Sequence, residues 1–150
     1  MQGLDPRDAL NKVEASLVRL RQLGATPIAV LGFCMGGGLS FRSALELTGL
    51  AGAVMFYATP RGQFHQLQIP VLGHFSLHDA FVSIAAVRDA EHCLVEAGKS
   101  VTFYYYDADH SFMNEKLPAF AAGAAAIAWE RTVQFFRTLE SQQPDCQSRP

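Results

Sequence analysis

Basic runs, long apolar segments and cysteine pairs are all scarce in this sequence. Its 12 Lys and Arg residues against 14 Asp and Glu give a formal net charge of −2 at pH 7, so neither a nucleic acid nor an anionic membrane is an expected partner. No segment is apolar for long enough to cross a bilayer. Residues 1–5 also lack the charged and apolar regions of a signal peptide. We therefore expect a cytoplasmic protein without a membrane partner.

Metal and disulfide sites are equally poorly supported. Cys34, Cys93 and Cys146 are odd in number and irregularly spaced, which is unlike a disulfide framework or a zinc knuckle and fits a reducing compartment. His74 and His78 straddle a predicted strand end instead of stacking on one helical face, and no third ligand is apparent. We expect no metal and no other cofactor.

The order of predicted elements indicates the fold class. Apolar runs predict strands at 28–31, 53–57, 70–75 and 101–106, and helical spacing predicts helices at 6–23, 35–47, 84–97 and 118–140. With 49% apolar residues, the chain can form one core. We predict a single α/β domain over residues 1–150, with a mostly parallel sheet, helices on both faces, and a loose polar tail at 142–150.

The segment between the first predicted strand and the helix after it is the most informative in the chain. It reads Gly32-x-Cys34-x-Gly36, the pattern of a nucleophile elbow, with cysteine where serine is usual. Because this turn is tight, we expect it to need the missing Cβ of both Gly32 and Gly36. Cys34 is then the candidate nucleophile, and the amide of Met35 is the candidate oxyanion donor.

Other glycine-rich motifs fit this segment less well. A dinucleotide-binding motif would need glycine at the position of Cys34, and a P-loop would need lysine and a hydroxyl residue where Gly38 and Leu39 stand. A buried, inert Cys34 in a glycine-rich turn is the remaining alternative.

Candidate partners for the nucleophile follow the third and fourth predicted strands. Asp79 and His110 lie in loops that leave the carboxyl ends of these strands, where open α/β sheets place their sites, and the order nucleophile, acid, base is that of this fold. Asp107 and Asp109 compete for the acid role. Residues so near His110 in sequence rarely reach its ring, so we favour Asp79 and expect the other two aspartates to be turn residues.

Three motifs together resemble the dienelactone hydrolase (carboxymethylenebutenolidase) family. They are Cys34 within Gly-Phe-Cys-Met-Gly-Gly, Asp79 within His-Asp-Ala-Phe-Val, and His110 within Asp-Ala-Asp-His-Ser-Phe. The similarity runs from about Ala9 to Leu139. It implies an α/β-hydrolase fold and a Cys-Asp-His triad that opens a small enol-lactone or ester through a thioester. Dienelactone, opened to maleylacetate, is the family's characteristic substrate.

The sequence departs from the family in two respects. Met113 and Asn114 stand where the best-known members place an arginine that holds the substrate carboxylate. Family members are also considerably longer, so this sequence resembles their C-terminal two-thirds, with the N-terminal strands and the second oxyanion donor missing. A non-catalytic truncated fragment acting as an interaction or structural module is therefore the alternative function. A redox-sensing thiol is a third, although no resolving cysteine lies nearby.

The missing strands also lead to an expectation about assembly. Without an earlier strand beside it, the segment from Pro27 to Phe33 would form an open apolar edge. Such edges invite pairing with another chain, so we expect self-association through this segment or poor solubility.

Overall fold

The computed structural model describes residues 5–142, in which helices and strands alternate. The elements are α1 (Pro6–Gln22), β1 (Ala29–Phe33), α2 (Met35–Glu46), β2 (Gly52–Phe56), a short 3₁₀ helix (Phe64–Gln66), β3 (Val71–His78), α3 (Ile84–Glu96), β4 (Val101–Asp109) and α4 (Ala122–Ser141). The predicted alternation is confirmed. All but the first residue of the predicted polar tail at 142–150 lies outside the described residues.

The described strands form one parallel sheet in the order β1-β2-β3-β4. Since parallel strands point the same way, their carboxyl ends lie along a single edge of the sheet. Cys34 directly follows β1, Asp79 directly follows β3, and His110 directly follows β4. Topology alone therefore brings the three candidate residues to the same edge.

Apolar side chains pack on both faces of the sheet, as predicted. Because side chains alternate along a strand, Met55 of β2 packs with α2 and α3 on one face, while Val54 and Phe56 pack with α4 on the other. All five residues of β2 are buried, and this strand reads as a continuous apolar run for that reason.

The two end helices differ in how well the sequence predicted them. Helix α1 begins as expected, with the Asp5 carboxylate accepting from the Arg7 amide at 2.8 Å and Pro6 in the first helical position. The predicted start of α4 at Pro118 was wrong by four residues. The Ala121 amide donates to the Phe112 carbonyl at 3.1 Å, which ties this segment back to the loop after β4 instead of extending the helix. Among the described helices, none is both long and apolar enough to cross a membrane.

Strand β1 lies at the edge of the described sheet. Within residues 5–142 its ladder partner is β2, and no described strand pairs with the side of β1 that faces away from β2. An apolar groove of about 390 Å³ runs beside this edge, between α1, β1 and α2. It is lined by apolar side chains that include Leu17, Leu20, Ile28, Val30, Leu39 and Leu50.

This edge leads to a prediction about assembly. The purified 150-residue chain should form dimers or larger species through β1, because an apolar strand at a sheet edge is a template for another strand. Size-exclusion chromatography with light scattering measures the molar mass as a function of concentration. A stable monomer at tens of micromolar that unfolds cooperatively would contradict the prediction.

Candidate active site

The turn between β1 and α2 holds Cys34 in a strained backbone conformation. Its φ of 53° and ψ of −122° lie in a region that non-glycine residues rarely adopt and that persists only where surrounding contacts hold it. The Cys34 amide donates to the Phe56 carbonyl at 3.1 Å, and its carbonyl accepts from the amides of Gly37 and Gly38 at 2.9 and 3.2 Å. Both sides of the residue are therefore fixed by backbone hydrogen bonds.

Two glycines allow this turn to close, but they are not the expected pair. A Cβ added to Gly32 would lie 1.9 Å from the Gly36 carbonyl oxygen, and one on Gly37 would lie 2.6 Å from the Phe56 carbonyl oxygen. A Cβ on Gly36 would meet nothing within 4 Å. The expectation that Gly36 must lack a side chain was wrong, because this position points into open space, and Gly37 meets the constraint in its place.

The two glycines of the motif should consequently respond differently to alanine. Gly32→Ala should lower the free energy of unfolding by about 3 kcal/mol or more, because its Cβ would overlap the backbone of the first turn of α2. Gly36→Ala should stay within about 1 kcal/mol of the wild type, since a helical glycine is less favourable than alanine. Urea unfolding of both variants checks this, and equal losses would mean that the close approach does not constrain the turn.

A continuous chain of hydrogen bonds joins the three candidate residues. His110 Nε2 lies 3.2 Å from Cys34 Sγ, and His110 Nδ1 lies 2.7 Å from Asp79 Oδ2. The Asp79 side chain is fully buried and that of His110 is 11% exposed. Asp79 thus orients the ring by accepting from Nδ1, which leaves Nε2 facing the sulfur atom.

Four donors surround the Asp79 carboxylate. Its Oδ1 accepts from the amides of Phe81 and Val82 at 2.8 and 2.9 Å, and its Oδ2 accepts from the Ser76 hydroxyl at 2.8 Å as well as from His110. Burial by itself raises the pKa of Asp79, but the hydrogen bonds, of which that from the Phe81 amide is the strongest, lower it by more. The pKa of Asp79 is therefore lowered overall. The acid is therefore ionised at neutral pH.

Ser76 was not singled out from the sequence. Its side chain is fully buried in β3, and its hydroxyl points at the acid three residues later. A serine in an apolar strand that leads into a candidate acid is a signal that could have indicated this contact.

The lowered pKa of Asp79 predicts a pH-dependent stability. An acid whose pKa is lower in the folded state stabilises the fold above its unfolded value and loses that contribution as the pH falls through the folded value. Between about pH 5 and pH 2, the unfolding free energy of Asp79→Asn should thus fall less steeply than that of the wild type. Identical slopes for wild type and Asp79→Asn in chemical denaturation would contradict the assignment.

Asp107 and Asp109, the two aspartates that competed for the acid role, both belong to strand β4. The expectation that they are turn residues was therefore wrong. Strand β4 continues through Asp107 to Asp109, because the pairing with β3 extends past a register shift to the His78–Asp109 pair. Asp107 accepts from His78 Nε2 at 2.6 Å in an exposed pair. The carboxylate that bonds His110 is that of Asp79.

Two aromatic side chains that the sequence reasoning did not place at the site contact the His110 ring. Tyr57 and Phe81 each lie 4.9 Å from it between ring centroids. Tyr57 is buried and has a φ of 37°. Burial, and to a smaller extent repulsion from Cys34 when it is a thiolate, raises the pKa of Tyr57 to about 12, so its hydroxyl stays protonated. Its place directly after β2, at the carboxyl edge of the sheet, is a signal that could have identified it.

A cleft of about 450 Å³ lies beside Phe33 and Tyr57, two neighbours of the candidate residues. Phe33, which precedes Cys34, and Tyr57 form its aromatic part, and a segment from the loop after β4 forms the rest: Met113, Asn114, Glu115 and Lys116. Met113 and Asn114, which replace the arginine expected from the resemblance, therefore do line the cleft. The cleft is large enough for a small ester or lactone.

A buried polar network lies behind the site and connects β3, β4 and α4. The Thr132 hydroxyl donates to the Ala128 carbonyl at 2.8 Å, so His74 Nε2 donates to Thr132 at 3.0 Å. His74 Nδ1 then accepts from the Tyr106 hydroxyl at 2.8 Å, which accepts from Arg131 at 3.1 Å. Burial, with a smaller contribution from Arg131, lowers the pKa of His74 to about 3. The neutral ring cross-links the strands that carry Asp79 and His110.

Fold and site together define the class of protein. A parallel sheet that carries a strained nucleophile turn at its carboxyl edge, with an acid and a histidine on later strands, is the α/β-hydrolase fold. The chain belongs to the dienelactone hydrolase family, whose sequence profile matches residues 3–140.

Individual relatives agree with this assignment. A protein of Saccharolobus solfataricus is 32% identical over 120 residues, which cover 77% of this chain and 46% of the relative. A carboxymethylenebutenolidase of Pseudomonas sp. strain P51 is 28% identical over 118 residues, 75% of this chain and 48% of that enzyme. Thermogutta terrifontis esterase 2, solved in a form phosphorylated by paraoxon, shares the fold with a TM-score of 0.75 at 17% identity and covers 96% of this chain and 68% of that one.

The chain thus spans about half the length of the first two relatives.

Proposed function

We propose that this protein hydrolyses a small carboxylic ester or lactone, with Cys34 as nucleophile and His110 as general base. Asp79 is the acidic member of the triad, which in its ionised form orients and stabilises the His110 ring. The observation that supports the proposal most directly is the hydrogen-bond chain from Asp79 through His110 to Cys34, with contacts of 2.7 and 3.2 Å. Membership of the dienelactone hydrolase family supports the same chemistry. An enol-lactone is the favoured substrate, because its enolate leaving group needs little protonation.

The first half of the reaction forms a thioester. His110 Nε2 takes the thiol proton, and the ionised Asp79 stabilises the resulting imidazolium through Nδ1. The thiolate attacks the carbonyl carbon to give a tetrahedral intermediate. His110 returns the proton to the leaving oxygen as the carbon–oxygen bond breaks, which leaves the acyl group on Cys34.

The second half regenerates the thiol. A water molecule replaces the leaving group, and His110 removes one of its protons as the oxygen attacks the thioester carbonyl. Collapse of the second tetrahedral intermediate releases the carboxylic acid and returns the proton to Cys34. Both halves use the same three side chains, so no further acid or base is required.

The amino-terminal end of α2 is the proposed source of oxyanion stabilisation for both intermediates. Met35 is the first residue of this helix, and the first amides of a helix have no partner within it. They also lie at the positive end of the helix dipole. We assign the Met35 amide as one oxyanion donor; such a donor typically contributes a factor of about 10²–10³ in rate.

Substitution of the triad tests the proposal. Cys34→Ser should lower kcat for p-nitrophenyl acetate by about 10³ or more, because a hydroxyl is a far weaker nucleophile beside a base arranged for a thiol. His110→Ala should reduce turnover to a similar extent. Both variants should keep the circular dichroism spectrum and urea midpoint of the wild type, which separates lost chemistry from lost folding.

The acid provides the matched comparison within the same assay. Asp79→Asn should lower kcat, whereas Asp107→Asn should leave it within twofold of the wild type, because only the first carboxylate bonds His110. Unchanged turnover in Cys34→Ser would show that a residue other than Cys34 is the nucleophile. A folded wild-type chain that hydrolyses no ester or lactone would favour the alternative, a non-catalytic interaction or structural module.

A further inference from the structure

Phe81 is an exposed phenylalanine at the centre of the site. Its side chain is 82% exposed, although large apolar side chains are normally buried. Its backbone is anchored to the same residue that bonds His110, since its amide donates to Asp79 Oδ1 at 2.8 Å. Its ring meets the His110 imidazole edge to face at 4.9 Å. An exposed apolar ring held against the general base is well placed to contact a ligand.

The reaction divides the space around the triad into two parts. The acyl carbon becomes bonded to Cys34 Sγ, and the cleft beside Cys34 is formed by Phe33 and Tyr57. The leaving oxygen must instead lie within hydrogen-bond reach of His110 Nε2, about 3 Å away. Phe81 does not line that cleft but does contact His110. Because it contacts the ring that serves the leaving oxygen and lies outside the cleft lining, Phe81 is a candidate for the side chain that meets the leaving group.

Charge in this region also favours an apolar group. Residues 80–87, the loop after the acid and the first turn of α3, contain no charged side chain. His78 and Asp107, on the strands that lead to Asp79 and His110, contact each other at 2.6 Å, and the charged residues Glu115 and Lys116 lie in the cleft on the acyl side. A charged leaving group would find no partner in this segment, whereas an aromatic or alkyl group would bury area against the ring.

We propose that Phe81 is a specificity-determining residue that packs against the leaving group, so that the substrates are esters or lactones with an apolar or aromatic alcohol portion. This inference rests on the proposed hydrolase function. It goes beyond that function by assigning the alcohol side of the substrate to one named side chain.

Esters that share an acyl group isolate this contact. Phe81→Ala should lower kcat/KM for phenyl acetate by about three- to tenfold, the size of one aromatic contact, and change kcat/KM for methyl acetate less than twofold. The ratio of kcat/KM for phenyl butyrate to kcat/KM for phenyl acetate should be the same in the variant and the wild type, because these two esters differ only in the acyl group. Trp129→Ala, which removes another exposed aromatic side chain on α4, should alter none of these values.

Three outcomes would overturn the inference. Equal losses on phenyl and methyl acetate would show that Phe81 only positions His110. A changed butyrate-to-acetate ratio would place Phe81 on the acyl side. No loss on either ester would mean that the ring does not contact the substrate.

A second measurement keeps the inference testable if the wild type hydrolyses no ester and the proposed function fails. Alkylation of Cys34 by iodoacetanilide and by iodoacetamide, followed by peptide mass spectrometry, compares an aromatic with a small electrophile without hydrolysis. The rate ratio of anilide to amide should be higher for the wild type than for Phe81→Ala. Equal ratios would show that the ring attracts no apolar group to the site.

Discussion

The close contact between β1 and the first turn of α2 is the constraint on which the rest of the site depends. A side chain at Gly32 would overlap the Gly36 carbonyl, so the chain can reverse here only with glycine. The reversal places Cys34 at a φ of 53°, and hydrogen bonds to Phe56, Gly37 and Gly38 hold it there. The strain is maintained by the sheet and the helix together, which is why the thiol stands above the sheet edge instead of packing into the core.

The parallel sheet then supplies the partners. Asp79 and His110 are 31 residues apart and each is far from Cys34 in sequence, yet each directly follows a strand whose carboxyl end lies at the same edge. Four donors keep the buried carboxylate ionised, and it orients the imidazole. The network around His74 binds β3, β4 and α4 to one another, so the strands that lead to Asp79 and His110 are fixed relative to each other.

Much of this arrangement could be predicted from the sequence, because strand and helix periodicity, the elbow motif and the chain order of candidates are local signals. They located the parallel sheet, its helices on both faces and the residues that meet at its edge. Contacts that depend on three-dimensional approach were not predictable in the same way. Whether Gly36 or Gly37 needs to lack a Cβ depends on the direction of each Cα–Cβ bond after the turn closes. Ser76, Tyr57 and Phe81 were missed because an ordinary serine, tyrosine or phenylalanine acquires its role only through the neighbour it meets.

The central claim is that Cys34 carries the acyl group during turnover. Rapid acid quenching of the wild-type chain with p-nitrophenyl acetate, followed by intact and peptide mass spectrometry, measures this directly. A transient acetyl adduct on the peptide that contains Cys34, absent in Cys34→Ser, is the predicted result. Hydrolysis that proceeds with an adduct on a different residue, or with a burst of product and no adduct at Cys34, would contradict the account.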